Sequence, residues 1–172
     1  YRPLKGKLRL LTFSDSAFKK EEETGHALKG TLVLLVEAAS DGATSEVGCH
    51  VLDFSSKRVR HVTRSTFSAE LFALCDSIDH SLLLAQMIHE IYIAPDTVGG
   101  ARRRREQGGF FVELDIAIDA MSILAAVKAI HIKVPAEKSL LGHVQFVKEL
   151  LVRGVIRSLR WVDTRMMYAD GL

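Results

Sequence analysis

Apolar runs broken by polar stretches organise the first third of the chain. Residues 8–14 (LRLLTFS) and 31–36 (TLVLLV) are short and rich in leucine, valine and threonine, and each predicts a strand. A third strand is predicted over 47–54, after a turn signal at Ser40, Asp41 and Gly42. Three strands with short connections predict an antiparallel meander.

The period then changes. From Thr66 to Ile91 the residues Phe67, Leu71, Leu74, Ile78, Leu82, Met87 and Ile91 recur largely at three- or four-residue spacing, which predicts a long amphipathic helix with Ser65 as its N-cap. After Pro95, the glycines 99, 100, 108 and 109 and the run Arg102 to Arg105 have loop composition, so 95–109 is predicted as an insertion loop. A strand over 110–118, a short helix over 120–129, a longer helix over 138–152 and a strand over 157–162 follow, with a helical start near Asp170.

The order β-β-β-α-β-α-α-β predicts an α/β fold with a mixed five-stranded sheet: three antiparallel strands, then α/β crossovers, flanked by helices. At 172 residues and 48% hydrophobic content the chain is read as one domain over 1–172. Opening at Tyr1 without a methionine, it is expected to be a piece of a longer polyprotein.

A net charge of +2 does not identify a nucleic-acid binder by itself. The two cysteines, Cys49 and Cys75, are too few for a zinc site or a disulfide framework, and a reduced intracellular setting is expected. Asp76, Asp79, His80 and Gln86 punctuate the longest apolar candidate, so no membrane is expected as a partner.

Four acids fall at expected element ends: Asp15, Glu70, Asp119 and Asp170. If the strands carrying Asp15 and Asp119 lie parallel and adjacent, their carboxyl ends meet at the edge where α/β sheets bind ligands, within reach of Glu70. Such a cluster repels itself unless divalent cations neutralise it, and Mg2+ favours hard oxygen ligands. Each acid also has a bland role open to it. Asp15 can start a turn, and Glu70 can serve the helix dipole. Asp119 competes with Asp115 on the same strand face, although the following Ser122 favours Asp119, and Asp170 competes with Asp163.

Several segments resemble one family. Phe13-Ser14-Asp15-Ser16-Ala17 is similar to the Y-S-D-A-D opening of the ribonuclease H of copia-type retrotransposon polyproteins, and Phe54-Ser55-Ser56-Lys57 is similar to its W-S-S-K. The block Ser65 to Leu74 resembles S-S-T-E-A-E-Y-x-A-L, with the ligand glutamate falling on Glu70. Asp119 to Ile123 resembles D-N-Q-S-A, and Trp161 to Asp170 resembles Y-V-P-T-x-x-Q-L-A-D. Two departures stand out: Ala120 replaces the asparagine, and Ser139 stands where the family has a histidine, with His143 nearby on the helix.

The resemblance implies a ribonuclease H-like fold and endonucleolytic cleavage of the RNA strand of an RNA–DNA hybrid during reverse transcription. It implies Asp15, Glu70, Asp119 and Asp170 as ligands of two Mg2+ ions, with Mn2+ able to substitute. The reverse transcriptase domain of the same polyprotein would be the partner, in a cytoplasmic particle or the nucleus. Lys57, Arg58, Arg60, Arg64 and Ser122 are candidate nucleic-acid contacts, with His61 in the same cluster. Arg102 to Arg105 divide between a solvated loop and a nucleic-acid contact.

The alternatives are a decayed or repurposed module that binds nucleic acid or protein without cutting, and an integrase-like or exonuclease relative. Phe67, Phe72, Met87, Met121 and Trp161 are expected to pack in the core, and His26, His80, His89 and His131 show no metal-ligand spacing.

Overall fold

Backbone pairing carries the first three strands beyond the apolar runs that announce them. In the computed structural model, β1 spans Leu8–Ala17, β2 Leu28–Glu37 and β3 Cys49–Arg58. The described residues are 3–17, 27–38, 48–59, 63, 65–130 and 138–170. The expected turn at 40–42, the histidines His26, His61 and His131, and the arginines Arg60 and Arg64 lie outside them. The antiparallel ladder of β1 and β2 continues through Asp15↔Gly30 to Ala17↔Leu28, so Asp15 sits inside its strand rather than at its end.

The sheet order is β3-β2-β1-β4-β5, with β4 at Glu113–Ile118 and β5 at Ser158–Trp161. The pairs β1–β2 and β2–β3 are antiparallel, while β1–β4 and β4–β5 are parallel, as the predicted fold class requires. Because β1 and β4 are parallel neighbours, the carboxyl ends that carry Asp15 and Asp119 meet at one edge.

One face of the sheet is covered by α1 (Thr66–Tyr92), α3 (Met121–Lys128) and α4 (Leu141–Val152), which follows a short 3-10 turn at Lys138–Leu140. Alternation aims Leu10, Val33, Leu114 and Ile116 at that face, where they are buried with Leu71, Leu74 and Ile78 of α1. Two buried hydroxyl pairs, Thr12 with Ser81 and Thr31 with Ser77, each at 2.7 Å, also join α1 to the sheet. Ser65 caps α1 by accepting from the Ser68 amide, as the sequence predicted; a cap of this kind is worth about 1 kcal/mol.

At 27 residues α1 is long and apolar enough to cross a membrane by length and composition, contrary to the sequence expectation. Its buried leucines and its hydroxyl pairs identify it here as the core helix of the sheet. Of the side chains expected in the core, Phe67 and Phe72 pack against it, whereas Met87, Met121 and Trp161 are substantially exposed.

The segment 95–109 departs most from expectation. Val98–Gln107 forms a helix, α2, that buries none of its residues. Charge holds it rather than an apolar stripe. Thr97 accepts from the Gly100 amide at its start, and Arg102 pairs with Glu106 one turn on. Arg104 binds Asp96 at 2.6 Å, and Arg105 binds Asp79 of α1. Gly108 ends the helix at a φ of +78°, and a side chain there would lie 3.2 Å from the Gly154 carbonyl. The opposite sheet face carries a smaller cluster in which Met167 and Ala169 pack on Phe13 and Ala117. A turn, not a helix, spans 168–170.

Candidate active site

Three elements deliver one carboxylate each to the same point. Asp15 comes from β1, Glu70 from the second turn of α1, and Asp119 from the residue after β4. One oxygen of each lies within 4.8 Å of the others, and all three residues are half-buried. Among the described residues no lysine or arginine pairs with any of them.

That arrangement disfavours ionisation. Burial, then repulsion from Asp119 and from Asp170, holds the Asp15 carboxyl above its ordinary range, although the Ser16 amide works the other way. Burial and repulsion from Asp15 and Asp119 push Glu70 up to about 8, against opposition from hydrogen bonding by Ser16. A divalent cation resolves the conflict, because it stabilises the ionised form of every carboxylate at once. Three hard oxygen donors without nitrogen or sulfur suit Mg2+ or Mn2+. Asp15, Glu70 and Asp119 are therefore the residues that could hold such an ion.

Asp170 is not one of the three converging groups. It is exposed, in the turn over 168–170, yet its charge is felt at Asp15. Its competitor Asp163 is occupied elsewhere: its carboxylate accepts from the Arg165 amide at 2.9 Å and caps the 3-10 turn Thr164–Met166. Asp115, the competitor of Asp119, is buried and bound to Arg157 at 2.6 Å and to the Ser158 hydroxyl.

Sequence reasoning missed two partners of Asp119. The Thr164 hydroxyl donates to its Oδ2 at 3.2 Å, and the Trp161 indole N–H donates to its backbone carbonyl at 2.9 Å. Trp161 was expected in the core, and Thr164 stands inside the matched Trp161 to Asp170 block without a role of its own; no spacing rule points to either.

Lys57 and Arg58 end β3 in exposed positions. Lys57 is opposite Lys29, which is opposite Ser16, so Lys57 is two strand spacings, about 10 Å, across the sheet from the residue after Asp15. Both line a cleft of about 420 Å³ with Lys29, Thr31 and His80, where Lys29 is paired with Asp76 and His80 with Asp53 at 2.7 Å. Ser122 is exposed in the first turn of α3, three residues after Asp119. Three of the four arginines of α2 are spent on carboxylates, which favours the structural reading of that run. His143 lies edge-on to Phe72 in the interface of α1 and α4, with ring centroids 5.0 Å apart.

No family model and no curated protein matches the chain. Solved structures do match its fold. LC11-RNase H1 in complex with an RNA/DNA hybrid superposes with a TM-score of 0.53 at 15% identity, covering 94% of this chain and 91% of that one. The structure of LC11-RNase H1 isolated from compost by a metagenomic approach gives 0.50 at 13% identity, covering 94% and 90%. The fold is ribonuclease H-like.

Proposed function

We propose that this chain is a metal-dependent endonuclease that hydrolyses the RNA strand of RNA–DNA hybrids. The observation that carries the reading is the convergence of Asp15, Glu70 and Asp119 within 4.8 Å at the carboxyl edge of a ribonuclease H-like sheet. The structural neighbour bound to an RNA/DNA hybrid supports the substrate class. Asp170, whose charge reaches Asp15, completes the ligand set.

Two divalent ions, held by Asp15, Glu70, Asp119 and Asp170, would supply an activated water and stabilise the leaving oxygen of an in-line displacement. The chain's own residues hold the ions and orient the scissile phosphate. Water oxygen bonds to phosphorus, the bond from phosphorus to the 3′ oxygen breaks, and the products are a 5′ phosphate and a 3′ hydroxyl. Lys57, Arg58 and Ser122 contact the backbone of the hybrid, and Arg60 and Arg64 belong to the same reading. Contacts to phosphates and 2′-hydroxyls make the cut independent of sequence.

The copia-type resemblance gives the hybrid its source, the reverse transcriptase domain of the same polyprotein, in an intracellular particle or the nucleus. Ser139 in the histidine position favours one rival, a module that keeps the fold and binds nucleic acid without cutting. Cleavage of a labelled RNA–DNA hybrid in Mg2+, with single-stranded RNA and duplex DNA as controls, decides between them. Hybrid-specific cutting that disappears in Asp15→Asn is expected. A folded wild type that binds hybrid and cuts nothing would leave the rival standing.

A further inference from the structure

The segment after β5 does more than bring Asp170 near the cluster. The Val162 amide donates to the Ile118 carbonyl, prolonging the pairing of β4 and β5 by one step, and the Trp161 indole ties down the carbonyl of Asp119 itself. Met167 and Ala169 are buried on Phe13 and Ala117, and Tyr168 stands edge-on to Phe13 at 5.2 Å. The segment is therefore anchored on both sides of Thr164, and the 3-10 turn capped by Asp163 fixes the backbone from which the Thr164 hydroxyl reaches Asp119 Oδ2.

We propose that Thr164 is a positioning residue for the carboxylate cluster: its hydroxyl occupies Oδ2 of Asp119, fixes the rotation of that carboxylate and leaves Oδ1 for a divalent cation. A side chain fixed only at its backbone turns freely about its last bond, and a ligand oxygen that wanders loses affinity for the ion. Groups that hydrogen-bond a metal-ligating carboxylate typically account for about 10- to 100-fold in metal affinity or activity. Trp161 acts one bond earlier, on the backbone that carries Asp119. The inference rests on the metal-site reading above and not on the identity of the nucleic acid.

The test is titration of Mn2+ and Mg2+ into wild type, Thr164→Val and Thr164→Ser by calorimetry without nucleic acid, alongside the Mg2+ dependence of hybrid cleavage. Thr164→Val, which keeps the shape and removes the hydroxyl, is expected to weaken metal binding about tenfold or more. The Mg2+ concentration for half-maximal cleavage should rise in parallel, with the rate at saturating Mg2+ changing much less. Thr164→Ser should stay within about twofold of wild type, because it keeps the donor. Should the valine variant misfold, Thr164→Ala carries the same expectation without added bulk. Metal affinity in the valine or alanine variant equal to wild type would overturn the proposal, as would a wild type that binds no divalent ion. A wild type that binds metal but cuts nothing defeats the nuclease reading alone and leaves the affinity comparison to decide the role of Thr164.

Discussion

The two ends of β4 handle acid in opposite ways. At the amino end, Glu113 meets Lys7, Arg9 and Arg157, and the buried Asp115 is bound to Arg157 and Ser158. The Lys7 ammonium, with help from Arg9 and Arg157, holds Glu113 below its ordinary range, and Asp115 raises Arg157. At the carboxyl end, six residues from Glu113, Asp119 faces Asp15 and Glu70 with no cation among the described residues to answer them. At one end the chain supplies the counter-charges, and at the other, among the described residues, it supplies none. Acidity alone therefore marks no site on this strand; the distribution of counter-charges does.

The contrast breaks most sharply at Asp119. Asp119→Asn is expected to lower hybrid cleavage by at least about a hundredfold, more than the loss of a group that only orients a ligand. Removing one of three repelling charges should leave the melting temperature in EDTA equal to or above that of wild type. A variant that cuts normally, or that melts well below wild type, would place Asp119 with the structural acids.

Four residues earlier the signs reverse. Asp115→Ala takes from Arg157 the nearer of its two carboxylates and from Ser158 its acceptor, and should cost about 1.5–3 kcal/mol in denaturant unfolding. Cleavage below the melting transition should stay close to wild type. Loss of activity without loss of stability would show that Asp115 takes part in the chemistry.

The remaining effect is a matter of pH. Glu70 holds its proton more tightly in the folded chain, about 8 against an ordinary 4.5, so between those values the folded state binds more protons than the unfolded one. Its contribution to stability is greatest at low pH and declines as pH rises through that window, by at most about 1.4 kcal/mol per pH unit. Glu113 has the opposite sign: its contribution is present above 4.5 and is lost as pH falls. Unfolding in EDTA across pH 5 to 8 should therefore show a decline that Glu70→Gln flattens and that Mg2+ reduces. Parallel profiles for wild type and Glu70→Gln would remove the electrostatic conflict from the cluster.

Much of this was legible in the residues. Alternation and the change to helical period placed the sheet and α1, and the order of elements implied that Asp15 and Asp119 would share an edge. The strand-end position and the following Ser122 favoured Asp119 over Asp115, but the ion pair that occupies Asp115 was not legible, because it depends on what β5 sets beside it. Helix α2 was missed for a physical reason: two glycines and a row of arginines carry no apolar period, and the ion pairs that hold it, to Asp79 and Asp96, join residues 26 and 8 positions apart. Thr164 escaped notice because its partner is 45 positions away and the bond exists only once β5 lies beside β4.

The hydroxyl pairs beneath α1 bear on a different matter, that of registration. Greasy surfaces slide, and a leucine-lined interface would pack nearly as well with the helix displaced by one turn, about 5.4 Å. Ser77 and Ser81 lie seven and eleven residues after Glu70, on the same side of the helix, and each meets a single threonine on the sheet. A one-turn slip would bring one serine opposite the other's threonine, leave the remaining serine and threonine unmatched, and carry Glu70 away from the carboxylates within 4.8 Å of it. The pairs behave as a detent: they set the height at which the glutamate stops.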